Sequence, residues 1–147
     1  MPSTIHASAV LVGARAVLIR GPSGSGKSRL ALDLISAAGG PLRFARLVAD
    51  DRAEIEARHG RLLVRPAAAL AGLLEVRGLG IRRLPYEPVA VVGWVADLAA
   101  ADAPRLPSPE QTRITIDGVA LARLAFAPGD APLARVIAAL HLPEASV

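Results

Sequence analysis

Cysteine is absent from the 147 residues, which excludes a disulfide framework, thiol catalysis and thiolate-held metal. Histidine occurs only three times, at His6, His59 and His141, and such spacing without cysteine argues against a zinc site. Aromatics are scarce, with one Trp, one Tyr and two Phe. Few aromatics and no run of basic residues argue against a nucleic-acid binder, despite a formal charge of +4. No apolar stretch reaches the roughly 18 residues that a membrane-spanning helix needs, because Arg, Asp, Gly and Pro interrupt every run. The start, MPSTIHASAV, lacks a basic segment followed by an apolar one, so no secretory signal is expected. These absences favour a cytoplasmic protein without a membrane partner. Lysine is the remaining scarcity. Of the 17 basic residues all but Lys27 are arginine.

What is present is a hydrophobic content of 52% built mainly from Ala, Val and Leu. That suits one domain over residues 1–147 with small-residue packing. STIHASAVLVG reads as a strand, Gly13-Ala14-Arg15 as a tight turn and AVLIR (Ala16 to Arg20) as a second strand. SRLALDLISAA (Ser28 to Ala38) sets Leu30, Ala31, Leu34 and Ile35 on one helical face, and Gly39-Gly40-Pro41 stops it. RLVADD is an apolar strand ending in two acids. AEIEARHGRLLVRP is a hairpin turning at His59-Gly60. AAALAGLLEV has the composition of a short helix, with RGLGI leading to another strand. EPVAVVGWVADL is a strong strand and DAPRLPSPE a loop. TRITIDGVALARLAF is a hairpin with its turn at Asp117-Gly118, and APLARVIAALHL is a closing amphipathic helix. The expected class is α/β: a mixed sheet with hairpins and a few helices around one strand–loop–helix unit. Trp94 belongs to an apolar strand and reads as core. His59 and His141 read as structural.

The lone lysine falls within Gly21, Pro22, Ser23, Gly24, Ser25, Gly26, Lys27 and Ser28, which match G-x-x-x-x-G-K-[ST] at every fixed position. An apolar strand precedes the match and an amphipathic helix follows, the context a phosphate-binding loop requires. Glycines let consecutive N–H groups face inward as an anion nest, and the helix start adds its positive dipole. Ser28 is placed to coordinate Mg²⁺. A compact ammonium on a thin stem can reach the β- and γ-phosphates through a crowded ring, where a planar guanidinium is too wide. The loop alone implies binding of a nucleotide or other polyphosphate. Asp50 and Asp51 end a strand about twenty residues later, where such proteins place a metal-linked acid. Alternation along a strand predicts that their side chains diverge, one toward the metal and phosphates and the other toward an incoming hydroxyl.

IHASAVLV, AVLIRGPSGSGKSRLALDLI, LVADDRAEI and LLEVRGLGI occur in the order and spacing of the HPr kinase/phosphorylase family, which the chain resembles over about Thr4 to Ile81. LLEVRGLGI is the most discriminating piece. The resemblance implies an HPr kinase-like P-loop catalytic domain in a short form without the N-terminal domain of many members. It implies an ATP- and Mg²⁺-dependent kinase acting on a serine of an HPr-like phosphocarrier protein of a phosphotransferase system. It also implies a reverse reaction that consumes phosphate and releases pyrophosphate, and a hexameric assembly. By the same resemblance, Lys27 binds phosphate, Ser28 and Glu75 hold Mg²⁺, and Asp51 is general base with Asp50 assisting. His6 orients the aspartate pair and Arg77 contacts phosphate or the partner protein. From the residues alone, His6 reads equally as a satisfied strand histidine, and Glu75-Val76-Arg77 as a helix end with the arginine favouring the dipole.

Beyond Ile81 the likeness loosens. Arg105 in APRLP is the best match to a catalytic arginine that would neutralise the transferred phosphoryl group. APGDAP (Ala127 to Pro132) falls where the family has a basic Pro-Gly loop tied to the reverse reaction, and Asp130 there puts that reaction in doubt. Arg29 stands where the family often has an acid. Two other classes fit the loop, a P-loop kinase of small hydroxyl substrates and a non-catalytic nucleotide-responsive regulator. The first lacks any lid-like arginine cluster here. The second has no need of the Asp50–Asp51 pair with His6.

Overall fold

The computed structural model describes residues 2–142. Among the described residues ten strands and two helices follow one another: β1 (Ser3–Val12), β2 (Arg15–Arg20), α1 (Lys27–Ser36), β3 (Ala45–Ala49), β4 (Arg52–Arg58), β5 (Arg61–Pro66), β6 (Leu73–Val76), β7 (Gly80–Arg83), β8 (Ala90–Asp97), β9 (Arg113–Ile116), β10 (Val119–Ala125) and α2 (Pro132–His141). Eight of the strands form one mixed sheet. β2 and β10 lie parallel to β8 on either side of it, whereas β1 is antiparallel to β2, β3 and β4. The β4–β5 hairpin spans from the start of β1 to the start of β8, which closes the circuit β1–β4–β5–β8–β2.

The short apolar segments of the sequence form two cores on opposite faces of this sheet. In β2, Ala16 and Leu18 pack with Val64, Val95 and Leu121 on one face, while Val17 and Ile19 pack with Leu30, Leu34, Phe126 and Val136 of the helical layer on the other. A strand covered on both faces has no place for alternating polar residues, which is why AVLI reads as an unbroken apolar run. Alanines dominate the face under the β4–β5 hairpin, including Ala7, Ala9, Ala16 and Ala53. Leu30, Ala31 and Leu34 are the buried stripe of α1, with Ile35 packed at its margin. Trp94 packs against the helical core.

The two expected hairpins turn where the sequence places them, with positive φ at His59 and Gly60 and at Asp117 and Gly118, as a two-residue hairpin loop requires. One expectation is overturned. AAALAGLLEV is not a helix: it contains one 3₁₀ turn at Ala68–Leu70, and Leu73–Val76 is strand β6, paired with β7 as a separate two-stranded ribbon. Gly72 breaks any helix here. Its φ is +76°, and a Cβ would lie 2.9 Å from the Tyr86 ring. Downstream, Leu74 is buried and Glu75 exposed, a period of two rather than 3.6. Glu75 therefore sits on a strand and Arg77 in the turn beyond it, not at a helix end.

Because β2 and β3 both run antiparallel to β1, and β8 and β10 run parallel to β2, four strands end at the same edge of the sheet. Their C-terminal ends deliver Gly21, Asp50, Asp97 and Phe126. Loops at the carboxyl ends of parallel strands form the usual ligand crevice of α/β sheets.

Candidate active site

The segment Gly21 to Gly26 joins β2 to α1 with positive φ at Gly21, Gly24 and Gly26. Gly26 is the N-cap of α1 in a left-handed conformation, with no side-chain cap and no acidic residue in the first turn. The first N–H groups of the helix are thus left for an anion. Lys27 Nζ donates to the carbonyls of Gly21 at 2.8 Å and Pro22 at 3.2 Å, so the ammonium lies over the loop. Ser25 Oγ is buried with no hydrogen-bond partner among the described residues. A spare hydroxyl donor in a ring of backbone N–H groups fits an oxyanion ligand.

The two aspartates diverge, but not by strand alternation. β3 ends at Ala49, and Asp51 adopts φ +68° in a turn with Arg52 N bonded back to the Asp50 carbonyl at 2.8 Å. That left-handed residue, a conformation Asp tolerates better than most, throws the second side chain outward. Asp50 is buried with 5% exposure. Its Oδ1 accepts from Ser8 Oγ at 2.6 Å and Ser28 Oγ at 2.7 Å, and its Oδ2 from the Glu75 amide at 3.2 Å. One buried carboxylate thereby ties together β1, the start of α1 and the β6–β7 ribbon. Asp51 instead faces a cavity of about 590 Å³ lined also by Lys27, Ser28, Glu75 and Arg77.

His6 is exposed and in register with Arg52, next to the Asp51 turn. It is two residues from Ser8 and so on the same face of β1, the face that meets Asp50. Its side chain has no hydrogen bond among the described residues and lines neither of two cavities beside the loop. Arg105 is not brought to the site. It is exposed between β8 and β9 and also lines neither cavity. Asp130 lies across the loop from Asp51, in a second cavity of about 540 Å³, where its Oδ2 accepts from the Ala127 amide at 2.9 Å and from Arg135 at 3.3 Å.

Sequence reasoning missed two features. Ser8 is completely buried and holds Asp50; the signal was a hydroxyl inside the apolar run ASAV. The second is Asp97, which ends β8 as Asp50 follows β3, after the apolar run AVVGWVA. Asp97 pairs in register with Arg20, the residue before the loop. Arg20 donates to it at 2.7 and 2.9 Å, and Arg123 of β10 at 2.6 Å. Arg123 also holds Asp102 at 2.9 and 3.0 Å. Burial pushes the Asp97 carboxyl up, but the hydrogen bonds and charges of Arg20 and Arg123 outweigh it and leave it below the usual carboxylate range. Asp102 alongside, with burial counting for less, raises Arg123 above an already high value. Two guanidiniums saturate Asp97, so it braces the root of the loop and is not a free metal ligand.

Among the described residues no three His, Cys, Asp or Glu side chains form a preformed metal cage. The oxygen donors of Ser28 and Glu75, which line the cavity beside the loop, instead suit Mg²⁺, which takes few protein ligands beside phosphate and water.

The family model of the HPr Serine kinase C-terminal domain matches residues 2–84, more than half of the chain. The chain belongs to this family. The matched stretch contains His6, the phosphate loop, the aspartate pair, Glu75 and Arg77; Arg105 and Asp130 lie beyond it. The HPr kinase/phosphorylase of Streptococcus thermophilus is 44% identical over 80 residues, which are 54% of this chain and 24% of that protein. The HPr kinase/phosphorylase of Clostridium tetani is 43% identical over 81 residues, 55% of this chain and 25% of that protein. The chain thus spans about a quarter of the length of these curated relatives. The solved structure of the Hpr(Ser) kinase/phosphatase from Coxiella burnetii superposes with a TM-score of 0.74 at 22% identity, covering 94% of this chain and 88% of that one. The family model ends at residue 84, whereas the fold shared with that structure extends over 94% of the chain. No described helix is long and apolar enough to cross a membrane.

Proposed function

We propose that this chain is the catalytic domain of an ATP- and Mg²⁺-dependent serine kinase whose substrate is an HPr-like phosphocarrier protein. The observation that carries this reading is the gathering of Lys27, Ser28, Asp51, Glu75 and Arg77 around one cavity against the phosphate loop, with Asp50 bonded to Ser28 behind them. Lys27 and the loop amides hold the polyphosphate. Ser28, oriented by Asp50, and Glu75 would hold Mg²⁺, which when bound supplies charge neutralisation on the phosphate oxygens. Asp51 takes the proton of the incoming serine hydroxyl as that oxygen bonds to the γ-phosphorus and the bond to the β–γ bridging oxygen breaks, releasing ADP. An exposed carboxylate is a weak base, but a loose phosphoryl-transfer transition state asks chiefly for alignment and charge. Arg77, in the turn between β6 and β7 two residues beyond Glu75, lines the same cavity as Asp51 and meets the phosphate or the carrier. His6, on the Ser8 face of β1, supports the aspartate turn.

In the reverse direction inorganic phosphate would enter, and the carboxylate of Asp130 beside the loop opposes a second anion. The forward kinase reaction is therefore the activity assigned. A hexameric assembly belongs to the same reading, and sedimentation of the purified chain tests it. The decisive assay is incubation with an HPr-like carrier, Mg²⁺ and ATP. Phosphoserine on the carrier is expected from the wild type and lost in Lys27→Ala and Asp51→Asn. Binding of ATP with no transfer to any carrier would sink the proposal, and pyrophosphate release on adding phosphate would restore the reverse reaction.

A further inference from the structure

Among the described residues Arg29 is the one cation that lines both cavities beside the phosphate loop. Lys27 and Arg77 reach only the cavity that contains Asp51. The second cavity is lined by Arg29 together with Asp33 and Asp130, and Arg29 is its sole cationic side chain among the described residues. It occupies the first turn of α1, where a cation opposes the positive end of the helix dipole. Helix stability therefore does not account for it.

Its tether is weak. Arg29 Nε reaches both Asp33 oxygens at 3.3 Å, the side chain is 79% exposed, and neither Nη makes a hydrogen bond among the described residues. The fork that recognises phosphate bidentately is unused.

From this geometry we infer that Arg29 is a second phosphate-binding residue of the site, engaging phosphate oxygens of a bound nucleoside triphosphate on the side of the loop away from Asp51, with Asp33 as the partner it leaves. The inference rests on the polyphosphate-binding reading above. Asp33 competes with the ligand for one guanidinium, so affinity reflects the difference between the two pairings. Removing the guanidinium and removing its competitor should then move affinity in opposite directions, although both substitutions delete the same ion pair.

Isothermal titration of Mg²⁺–ATP and Mg²⁺–tripolyphosphate into the wild type, Arg29→Gln and Asp33→Asn tests this, with thermal melts of the ligand-free proteins alongside. The melts of the two variants should shift together, since an exposed i,i+4 pair contributes little. Arg29→Gln should weaken both ligands about tenfold, one charge-assisted contact's worth, and Asp33→Asn should tighten both several-fold. Arg29→Gln within twofold of wild type overturns the inference. Equal weakening in both variants also overturns it, because that marks the pair as a mere brace of the helix. If the wild type binds neither ligand, the functional reading itself falls, and this inference with it.

Discussion

Replacing Asp97 by asparagine changes one oxygen for an amide nitrogen at a point where three charge-assisted hydrogen bonds converge. Arg20 Nε and Nη2 donate at 2.7 and 2.9 Å, and Arg123 Nε at 2.6 Å. The side chains of Asp97 and Arg123 are only 12% and 11% exposed, and that of Arg20 is 31% exposed. Asparagine retains one acceptor and turns an N–H toward a guanidinium. Removing one partner of a fully buried pair costs about 3–5 kcal/mol. Here Arg20 has partial access to water and Arg123 keeps Asp102, so about 2–3 kcal/mol is the reasonable share. For a domain of this size each kcal/mol lowers Tm by roughly 2–4 °C, which gives a fall of roughly 5–10 °C. The pH dependence follows from sign. The folded carboxyl lies below its ordinary value of 3.8, so the unfolded chain binds the proton first as pH falls. The stabilisation is fully present above that ordinary value and is lost as pH drops through the folded one. Thermal unfolding by circular dichroism should thus show a constant gap between wild type and Asp97→Asn from pH 5 to 8, narrowing below about pH 4. Asp102→Asn, at the exposed end of the network, should leave Tm nearly unchanged. A fall of less than about 2 °C for Asp97→Asn at pH 7, or a gap that persists undiminished into strong acid, would refute the reasoning.

Two further substitutions probe the loop and its support. Ser8→Ala removes a completely buried donor to Asp50 and should cost about 1.5–3 kcal/mol in urea unfolding, as a lost bond to a charged group does; an unchanged midpoint would mean that Ser8 is not needed to hold the carboxylate. Gly21→Ala places a Cβ 2.5 Å from Ser25 Oγ and 3.0 Å from the Leu98 carbonyl. The hydroxyl can rotate away but the carbonyl cannot, so the loop must shift and ATP affinity should fall more than tenfold by calorimetry, whereas wild-type affinity would show that the loop tolerates the shift.

The sequence alone determined the phosphate loop, because its chemistry is local. Eight consecutive residues, a preceding apolar strand and a following amphipathic helix specify the anion nest whatever surrounds them. It also determined the two hairpins with His59-Gly60 and Asp117-Gly118, where backbone conformation at two residues sets the turn. The failure at AAALAGLLEV has a tertiary cause. Alanine and leucine favour a helix, but Gly72 is held at positive φ against Tyr86 and β7 supplies the ladder for Leu73–Val76. Local propensity yields when a partner strand is available. Which of Asp50 and Asp51 is buried was likewise set by the fold. Adjacent identical residues carry no information about which is buried, and it took Ser8 from β1, Ser28 from α1 and the Glu75 amide from β6 to converge on one of them. The same holds for Asp97, which resembles Asp50 in sequence as an acid after an apolar strand. Only the parallel neighbours β2 and β10, bringing Arg20 and Arg123 from 77 and 26 residues away, make it a brace rather than a ligand. Local residues specify the glycine-rich loop; contacts distant in the chain decide which carboxylate is buried and which faces the cavity beside it.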